Sequence, residues 1–356
     1  GSGQLEQFAL VESPVMMPKL QERHPETRTF SGYSLQTPNK RIRCSYSPSW
    51  GFKAIVLRPD KGVEYIEPLA REQNKYYMVY DRHAFPNELR LKGKTTAELP
   101  EIIAAEEETP RVSLPPVRPA DRGSELGGLV VVKEYRFAAA CTGEFSQDNG
   151  GTLQKVLDKV VDVTNKLNAI YERDLDIRLK LVDDEEKIIF LDPATDPYTG
   201  TTVGGWLDQN PTAMGTNLGS ADKYDIGHVF ARYQGGNAIG VGVLGSCCTL
   251  LKGRGCSAGY PPYEDDFFAI IGQEIGHQWN GGHTWAHCSP INNSGYTAGS
   301  ACEPGGGTTI MSYSGSCGPD NVQNGFGDLY YNVCSIIEIR SFVEVGAGAT
   351  CGADIT

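Results

Sequence analysis

The first hundred residues carry short apolar runs bounded by Gly, Pro, Asp and Asn. Runs of this kind, rich in β-branched and aromatic residues, predict short β-strands. The predicted strands lie in Gly51–Pro59, Gly62–Leu69 and Lys75–Tyr80. We therefore expect a β-rich domain at the amino-terminal end of the chain.

The composition changes between residues 104 and 128, where an acidic run is followed by four prolines, several arginines and glycines. Such a stretch is typical of an exposed linker between domains. We predict an N-terminal domain over residues 1–105, a linker that carries an activation cleavage site over residues 106–130, and a second domain over residues 131–356.

In the second domain the pattern becomes mixed. Apolar residues at helical spacing predict a helix over Thr152–Asp174, and a second helix is predicted from Asp265 to about Trp279. Strands are predicted at Val131–Ala140, Ile177–Val182, Lys187–Leu191 and Asp225–Tyr233. A long region rich in Gly, Ser, Asn and Cys follows, and then a short helix near Cys334–Val345. This order predicts an α+β fold with the second helix at its centre.

Charge and hydropathy argue against two classes of partner. The 356 residues include 44 acidic and 32 basic side chains, which give a net charge of −12. A general binder of nucleic acid or of anionic membranes needs the opposite sign. No segment reaches the ~18 apolar residues of a membrane span. The chain opens Gly1-Ser2-Gly3, which we interpret as a cloning remnant that stands where a signal peptide has been removed.

The cysteines indicate an oxidising compartment. The chain has ten, and none of them forms a CxxC pair. Many cysteines in loops rich in Gly, Ser and Asn are typical of disulfides in a secreted protein, for which we expect three to five bridges. Buried free thiols in a cytosolic protein are the alternative.

The residues that suggest chemistry are concentrated on the second predicted helix, between positions 273 and 283. The zinc-protease template is H-E-x-x-H, extended by a Gly turn and a third His. Its first and fifth positions face the same side of a helix. Glu274, His277 and His283 match the template. Gln273 replaces the first His, and its neutral amide is a poorer zinc ligand than imidazole. Asn280 replaces the Gly, a mild change because Asn tolerates the left-handed conformation.

Downstream, the segment Thr308–Tyr313 supplies a Met-containing turn. Together with the helix motif, this makes the second domain resemble the metzincin zinc endopeptidases, and among them the reprolysin-like (adamalysin-like) secreted proteases of bacteria. Further segments that carry the resemblance are Gly51–Pro68, Tyr171–Asp192, Tyr224–Phe230, Glu303–Gly315 and Cys317–Gln323.

The resemblance implies a secreted proenzyme, in which the N-terminal domain is an inhibitory propeptide and the metzincin domain, a twisted mixed sheet with long helices, acts on proteins or peptides. It implies one catalytic zinc ion at the positions of Gln273, His277 and His283. Glu274 would be the general base on a water activated by the metal. Met311 would form a hydrophobic base beneath the site.

Several assignments stay open at this point. Tyr313 would either stabilise the oxyanion or simply pack. Cys44 would either place its thiolate on the zinc or form a disulfide. His287 is a less favoured substitute ligand, and His228 is interpreted as a structural residue of an edge strand beside the cleft. The loop Pro319–Asp328 is a candidate calcium site without EF-hand spacing.

Gln273 leaves the activity itself open. If this residue was introduced into an active enzyme, the chain is an inactivated endopeptidase proenzyme. If it is natural, the chain is a pseudoprotease or protein-binding module that keeps the metzincin fold. A non-catalytic adhesin is a third alternative. The retained Glu274 and the Met-containing turn favour the proenzyme, because drift after loss of function would be expected to erode them.

Overall fold

The computed structural model describes residues 5–60, 62–70, 73–82, 131–235, 238–261, 265–323, 325 and 327–355. The predicted linker over residues 106–130 lies outside them. Within the described residues the chain forms two six-stranded sheets. No helix among these residues has the length and apolarity that a membrane crossing requires.

The N-terminal sheet is an antiparallel meander in which every strand pairs with the next one along the chain. Its strands are β1 (Phe8–Glu12), β2 (Arg28–Ser34), β3 (Arg41–Ser47), β4 (Gly51–Leu57), β5 (Val63–Ala70) and β6 (Gln73–Asp81), and helix α1 (Pro18–Arg23) joins β1 to β2. The three predicted strands are confirmed as β4 to β6. The strands β2 and β3 were not predicted, because Arg and Ser interrupt their apolar positions.

In the second sheet β10, β11, β9 and β7 are successive neighbours. Strands β12 and β9 pair with the two ends of one edge of β7, and β8 pairs with its other edge. Pairs among β7, β8, β9 and β11 are parallel, whereas β10 and β12 pair antiparallel to their neighbours. The strands are β7 (Val132–Cys141), β8 (Ile177–Leu181), β9 (Ile226–Arg232), β10 (Gly240–Gly242), β11 (Gly255–Gly259) and β12 (Ala353–Ile355).

Five helices of the described part of the chain accompany this sheet: α2 (Gly143–Asp148), α3 (Leu153–Asp174), α4 (Val203–Leu218), α5 (Asp265–Gln278) and α6 (Val333–Val345). The predicted α3, α5 and α6 are confirmed. Helix α4 was not predicted, because two glycines and Pro211 interrupt its pattern. The predicted strand Lys187–Leu191 is wrong: a 3₁₀ helix occupies Glu185–Ile188, and only Ile189 forms a bridge, with Cys141.

Three disulfides lie in the second domain, within the predicted range. They join Cys248 to Cys351, Cys288 to Cys317 and Cys302 to Cys334. The four remaining cysteines, Cys44, Cys141, Cys247 and Cys256, are free and buried. The disulfide alternative for Cys44 is therefore wrong.

Candidate active site

Helix α5 carries the motif, and a sharp reversal of the chain ends it. Ile271, Ile275 and Trp279 are fully buried and fix the helix in the main core. After the helix, Asn280 adopts a left-handed conformation with φ of 68°, and the Gly281 amide donates to the Gly276 carbonyl over 2.9 Å. The prediction that Asn280 could form this turn is confirmed. The reversal returns the chain towards the helix it has just left.

The turn brings His277 and His283 together. Their rings are buried, with centroids 4.5 Å apart and planes at 88°. Nδ1 of His277 lies 2.7 Å from the Gly281 carbonyl oxygen, and Nδ1 of His283 lies 2.9 Å from that of Gly295. A carbonyl only accepts, so each neutral ring carries its proton on Nδ1 and a lone pair on Nε2. This tautomer is the one in which a zinc-binding histidine is held by its outer hydrogen bond.

Gln273 and Glu274 lie one turn earlier on α5. The Gln273 side chain is half-buried, and its Nε2 donates weakly to the Ser312 carbonyl over 3.5 Å. Glu274 is 8% exposed, and the edge strand β10 passes against it. A Cβ on Gly242 would come within 2.1 Å of the Glu274 backbone carbonyl oxygen, so this close approach of β10 to α5 requires glycine. The structure thus places the candidate base at the edge of the sheet.

Met311 lies directly beneath α5. Its side chain is fully buried, and a Cβ on Gly276 would come within 2.5 Å of its sulfur. The Tyr313 ring lies 4.6 Å from the His283 ring and stacks on Trp285 at 5.4 Å. Tyr313 therefore reaches one candidate ligand, His283, and also packs, so both interpretations of its role stay open.

Glu303 is a supporting residue that the sequence analysis did not single out. Its buried carboxylate accepts hydrogen bonds from the hydroxyls of Thr284, Thr309 and Thr308 and from the Thr308 amide, the last over 2.7 Å. Thr284 follows His283, and the two other threonines precede Met311. The carboxylate thus ties the segment of the third candidate ligand to the Met-containing turn. The available signal was a lone acidic residue that only Pro304 separates from three successive glycines.

Two other histidines lie apart from this pair. His228 is fully buried between Gln278 Oε1 at 3.0 Å and Ser257 Oγ at 2.8 Å, and burial lowers its pKa to about 4. Its structural interpretation holds, but its strand, β9, is interior, and β10 forms the edge. His287 is exposed and lies 3.8 Å from Asp320, so it is not gathered with the candidate ligands.

Cys44 points away from the second domain. Its neighbours in β3, Arg43 and Ser45, bond to α3, and alternate residues of a strand face opposite sides. Its thiol lies in an apolar cluster of the N-terminal sheet, with Ile42 and Ala54 among its members. Burial raises the pKa of the thiol to about 11. This placement does not bring Cys44 to the candidate zinc ligands.

The residues at two of the three expected zinc-ligand positions fit zinc. His277 and His283 present the right tautomer, whereas Gln273 supplies a neutral amide in place of the third imidazole. Among the residues that the structure describes, the one close group of at least three His, Cys, Asp or Glu ligand atoms lies elsewhere, at Cys247, Cys248 and Cys351. Two of those cysteines are joined in a disulfide.

Comparison with protein families agrees with this geometry. The family model described as Metallo-peptidase family M12B, reprolysin-like, matches residues 131–340. The match covers more than half of the chain and contains both histidines, Glu274 and Met311. The chain belongs to the reprolysin-like M12B metallopeptidases, a family of zinc peptidases, and the expected metzincin relationship is confirmed.

Proposed function

We propose that this member of the reprolysin-like M12B metallopeptidases is a zinc-dependent endopeptidase proenzyme whose metal centre is weakened at Gln273. The observation that carries the proposal is the pair of imidazoles with both Nδ1 atoms held by backbone carbonyls. Holding both rings before any metal binds lowers the cost of ordering them, and such outer hydrogen bonds raise ligand basicity.

His277 and His283 would hold the metal through Nε2, and Gln273 would occupy the third position with its amide. When bound, zinc supplies Lewis acidity that polarises a peptide carbonyl and makes water more acidic. Losing even an outer partner of a ligand costs about 10–100-fold in metal affinity or activity. Loss of an imidazole ligand should cost at least that much, so we expect weak zinc binding and little proteolysis from the chain as it stands.

Glu274 would take the proton from the attacking water and later pass it to the leaving amine. Its position beside β10 supports this role, because an extended substrate that pairs with an edge strand would lie next to the carboxylate. We assign Tyr313 to stabilisation of the oxyanion, with its stacking on Trp285 fixing the ring. The substrates would be proteins or peptides.

The N-terminal domain would be the propeptide, and cutting within residues 106–130 would begin activation. We assign inhibition to this domain rather than to Cys44, whose thiol faces away from the catalytic domain. Three disulfides support an extracellular location. The loop Pro319–Asp328 stays a candidate calcium site; one of its carboxylates, Asp320, already accepts from the Ser289 amide over 2.7 Å.

The alternative is a pseudoprotease that binds a protein in the same cleft without cutting it. Gln273 is the observation that favours this alternative, because a natural amide at this position would weaken zinc binding and leave the fold in place. The two functions predict different results for Gln273→His: the endopeptidase should gain proteolysis, whereas the pseudoprotease should not.

The test compares the parent chain with Gln273→His and with Gln273→His combined with Glu274→Ala, each after cutting within residues 106–130 and separation from the N-terminal domain. Zinc content is measured by plasma mass spectrometry, and cleavage is measured on casein. We expect about one zinc per chain and cleavage for Gln273→His. The double variant should keep the zinc and lose cleavage, since the carboxylate is a base and not a ligand.

The other outcomes decide between the alternatives. Zinc uptake without cleavage of any of several denatured proteins would support the pseudoprotease. If Gln273→His takes up no zinc, the assignment of the metal site is wrong.

A further inference from the structure

Charged residues on α3 are buried beneath the N-terminal sheet. Each of them is less than 7% exposed, and they are Asp158, Lys159, Asp162 and Lys166. Charged side chains are seldom buried unless they are paired. This face of α3 is therefore built for a partner that supplies opposite charges.

The N-terminal sheet supplies them. Lys166 Nζ lies 2.9 Å from Glu67 Oε1 and 3.1 Å from Asp162 Oδ2. Lys53 Nζ lies 3.5 Å from the same oxygen of Glu67, and the Ser45 hydroxyl donates to Asp162 over 2.7 Å. Such a network is satisfied only when both domains are present, and breaking one member leaves an uncompensated buried charge.

Further polar contacts extend along most of the helix. At its start, Trp50 Nε1 donates to the Lys155 carbonyl over 2.8 Å. Near its end, Arg43 donates to Asn165 over 2.9 Å and pairs with Glu172 at 2.5 Å. The contacts span about 26 Å of helix at 1.5 Å per residue. The N-terminal sheet therefore contacts α3 along most of its length and not at a single point.

Apolar packing and a backbone pairing join the same two domains. One hydrophobic core contains residues of both, including Met16, Leu20 and Ile55 from the N-terminal side. The Leu181 amide donates to the Val15 carbonyl over 2.7 Å, and the Met17 amide donates to the Leu181 carbonyl over 2.9 Å. The N-terminal segment therefore extends the catalytic sheet beside the end of β8.

We propose that the surface formed by α3 and the end of β8 binds the N-terminal domain as a separate chain, so that cutting the connection leaves a two-chain complex. This rests on the proposed function only in treating that domain as a propeptide. The contacts described above that cross between the two domains each join a residue before 83 to a residue after 130. A cut between these limits removes the covalent link and none of the contacts, and release of the domain is a second step.

The experiment replaces part of residues 106–130 by the recognition sequence of a site-specific protease and cuts the folded full-length protein. Native mass spectrometry and gel filtration at neutral pH and about micromolar concentration follow the two fragments. We expect them to elute together as one complex of both chains. Separation of the parent fragments under these conditions would overturn the proposal.

Two variants test whether the charge network holds the complex. Lys166→Met removes the cation between Glu67 and Asp162 and should weaken the complex by about 100-fold or more, the usual cost of an unpaired buried charge. Lys40→Met is the matched control, because Lys40 pairs with Glu6 and Glu64 inside the N-terminal domain. Equal dissociation of the two variants would contradict the role of the network.

If Lys166→Met does not fold, Arg43→Met serves as the second variant, since it removes the contacts to Asn165 and Glu172 from the N-terminal side. The readout is the mass of the complex, so it does not depend on zinc or proteolysis. A Gln273→His chain that bound no zinc would refute the proposed function and leave this result unchanged.

Discussion

Helices α3 and α5 are both buried, but by different means. Helix α5 faces the core with Ile271 and Ile275 and also carries three polar residues of the candidate site. Helix α3 buries one apolar side in the core and one charged side against the N-terminal sheet. The charged side of α3 can meet water if the N-terminal domain leaves, whereas the apolar side of α5 cannot. On the proposal above, we expect α5 to form the permanent side of the molecule and the charged face of α3 to form its separable side.

The largest loss of folding stability is expected from a cavity in the core around α5, on the permanent side. Trp279 directly follows α5 and is fully buried, with its ring 4.9 Å from Tyr171 and 5.9 Å from Tyr135. Trp279→Ala should lower the free energy of unfolding by about 3–5 kcal/mol, because a large cavity remains. Urea unfolding followed by circular dichroism measures this. A loss below about 1 kcal/mol would contradict the close packing of α5.

The two sides should also differ in the pH at which they weaken. Burial lowers the pKa of His228 to about 4, so this ring is neutral in the folded protein. The unfolded chain binds a proton below about pH 6.5, and the stability of the folded state is therefore lost as pH falls from about 6.5 to 4, by up to about 3 kcal/mol. His228→Gln should flatten this slope in urea unfolding. An unchanged slope would show that other groups cause it.

At the separable side, burial opposes ionisation of Glu67 and Asp162, but the neighbouring Lys53, Lys159 and Lys166 outweigh it and hold both pKa values below their usual range. A depressed carboxyl pKa stabilises the contact above about pH 4, and this contribution is lost as pH falls further. The cut complex should therefore stay intact between pH 6.5 and 4.5 and dissociate at lower pH. Gel filtration across this range checks the order. Dissociation already at pH 6 would implicate other groups.

Glu303 supports the site and should have a moderate effect. Glu303→Ala leaves the hydroxyl of Thr284 and the amide of Thr308 without this acceptor, at a cost of about 1–3 kcal/mol. In the Gln273→His background it should also weaken zinc about 10–100-fold, as loss of other outer partners does. Glu303→Gln is the conservative control and should recover part of both losses. Zinc titration and thermal unfolding give the two values. Unchanged zinc affinity in Glu303→Ala would exclude the positioning role.

The smallest effect is expected at the turn after α5. Asn280 pays for a left-handed conformation that glycine adopts freely. Asn280→Gly relieves this strain but raises the entropy of the unfolded chain, so the free energy of unfolding should change by less than about 1 kcal/mol. Thermal unfolding beside the parent chain measures it. A loss above about 2 kcal/mol would mean that the Asn280 side chain has a further structural role.

The sequence predicted the parts of the fold whose periodicity is regular. Helix α3 and helix α5 carry clear patterns, and the spacing of the motif placed His277 and His283 together. Helix α4 was not predicted because Pro211 and its glycines break the apolar pattern, although tertiary contacts stabilise the helix. Strand β3 was not predicted because Arg43 and Ser45 make it polar. Only the folded structure shows that these two side chains form hydrogen bonds with α3.

The sequence by itself determined the family, the motif and the missing imidazole at position 273, because these depend on residue identity and local spacing. Only the tertiary structure decided which face of β3 carries Cys44, which strand forms the edge beside Glu274, and that Glu303 joins the two halves of the site. Those facts depend on sheet order and on contacts between residues far apart in the chain. Local spacing along the chain specifies neither the order of strands in a sheet nor which distant residues come into contact.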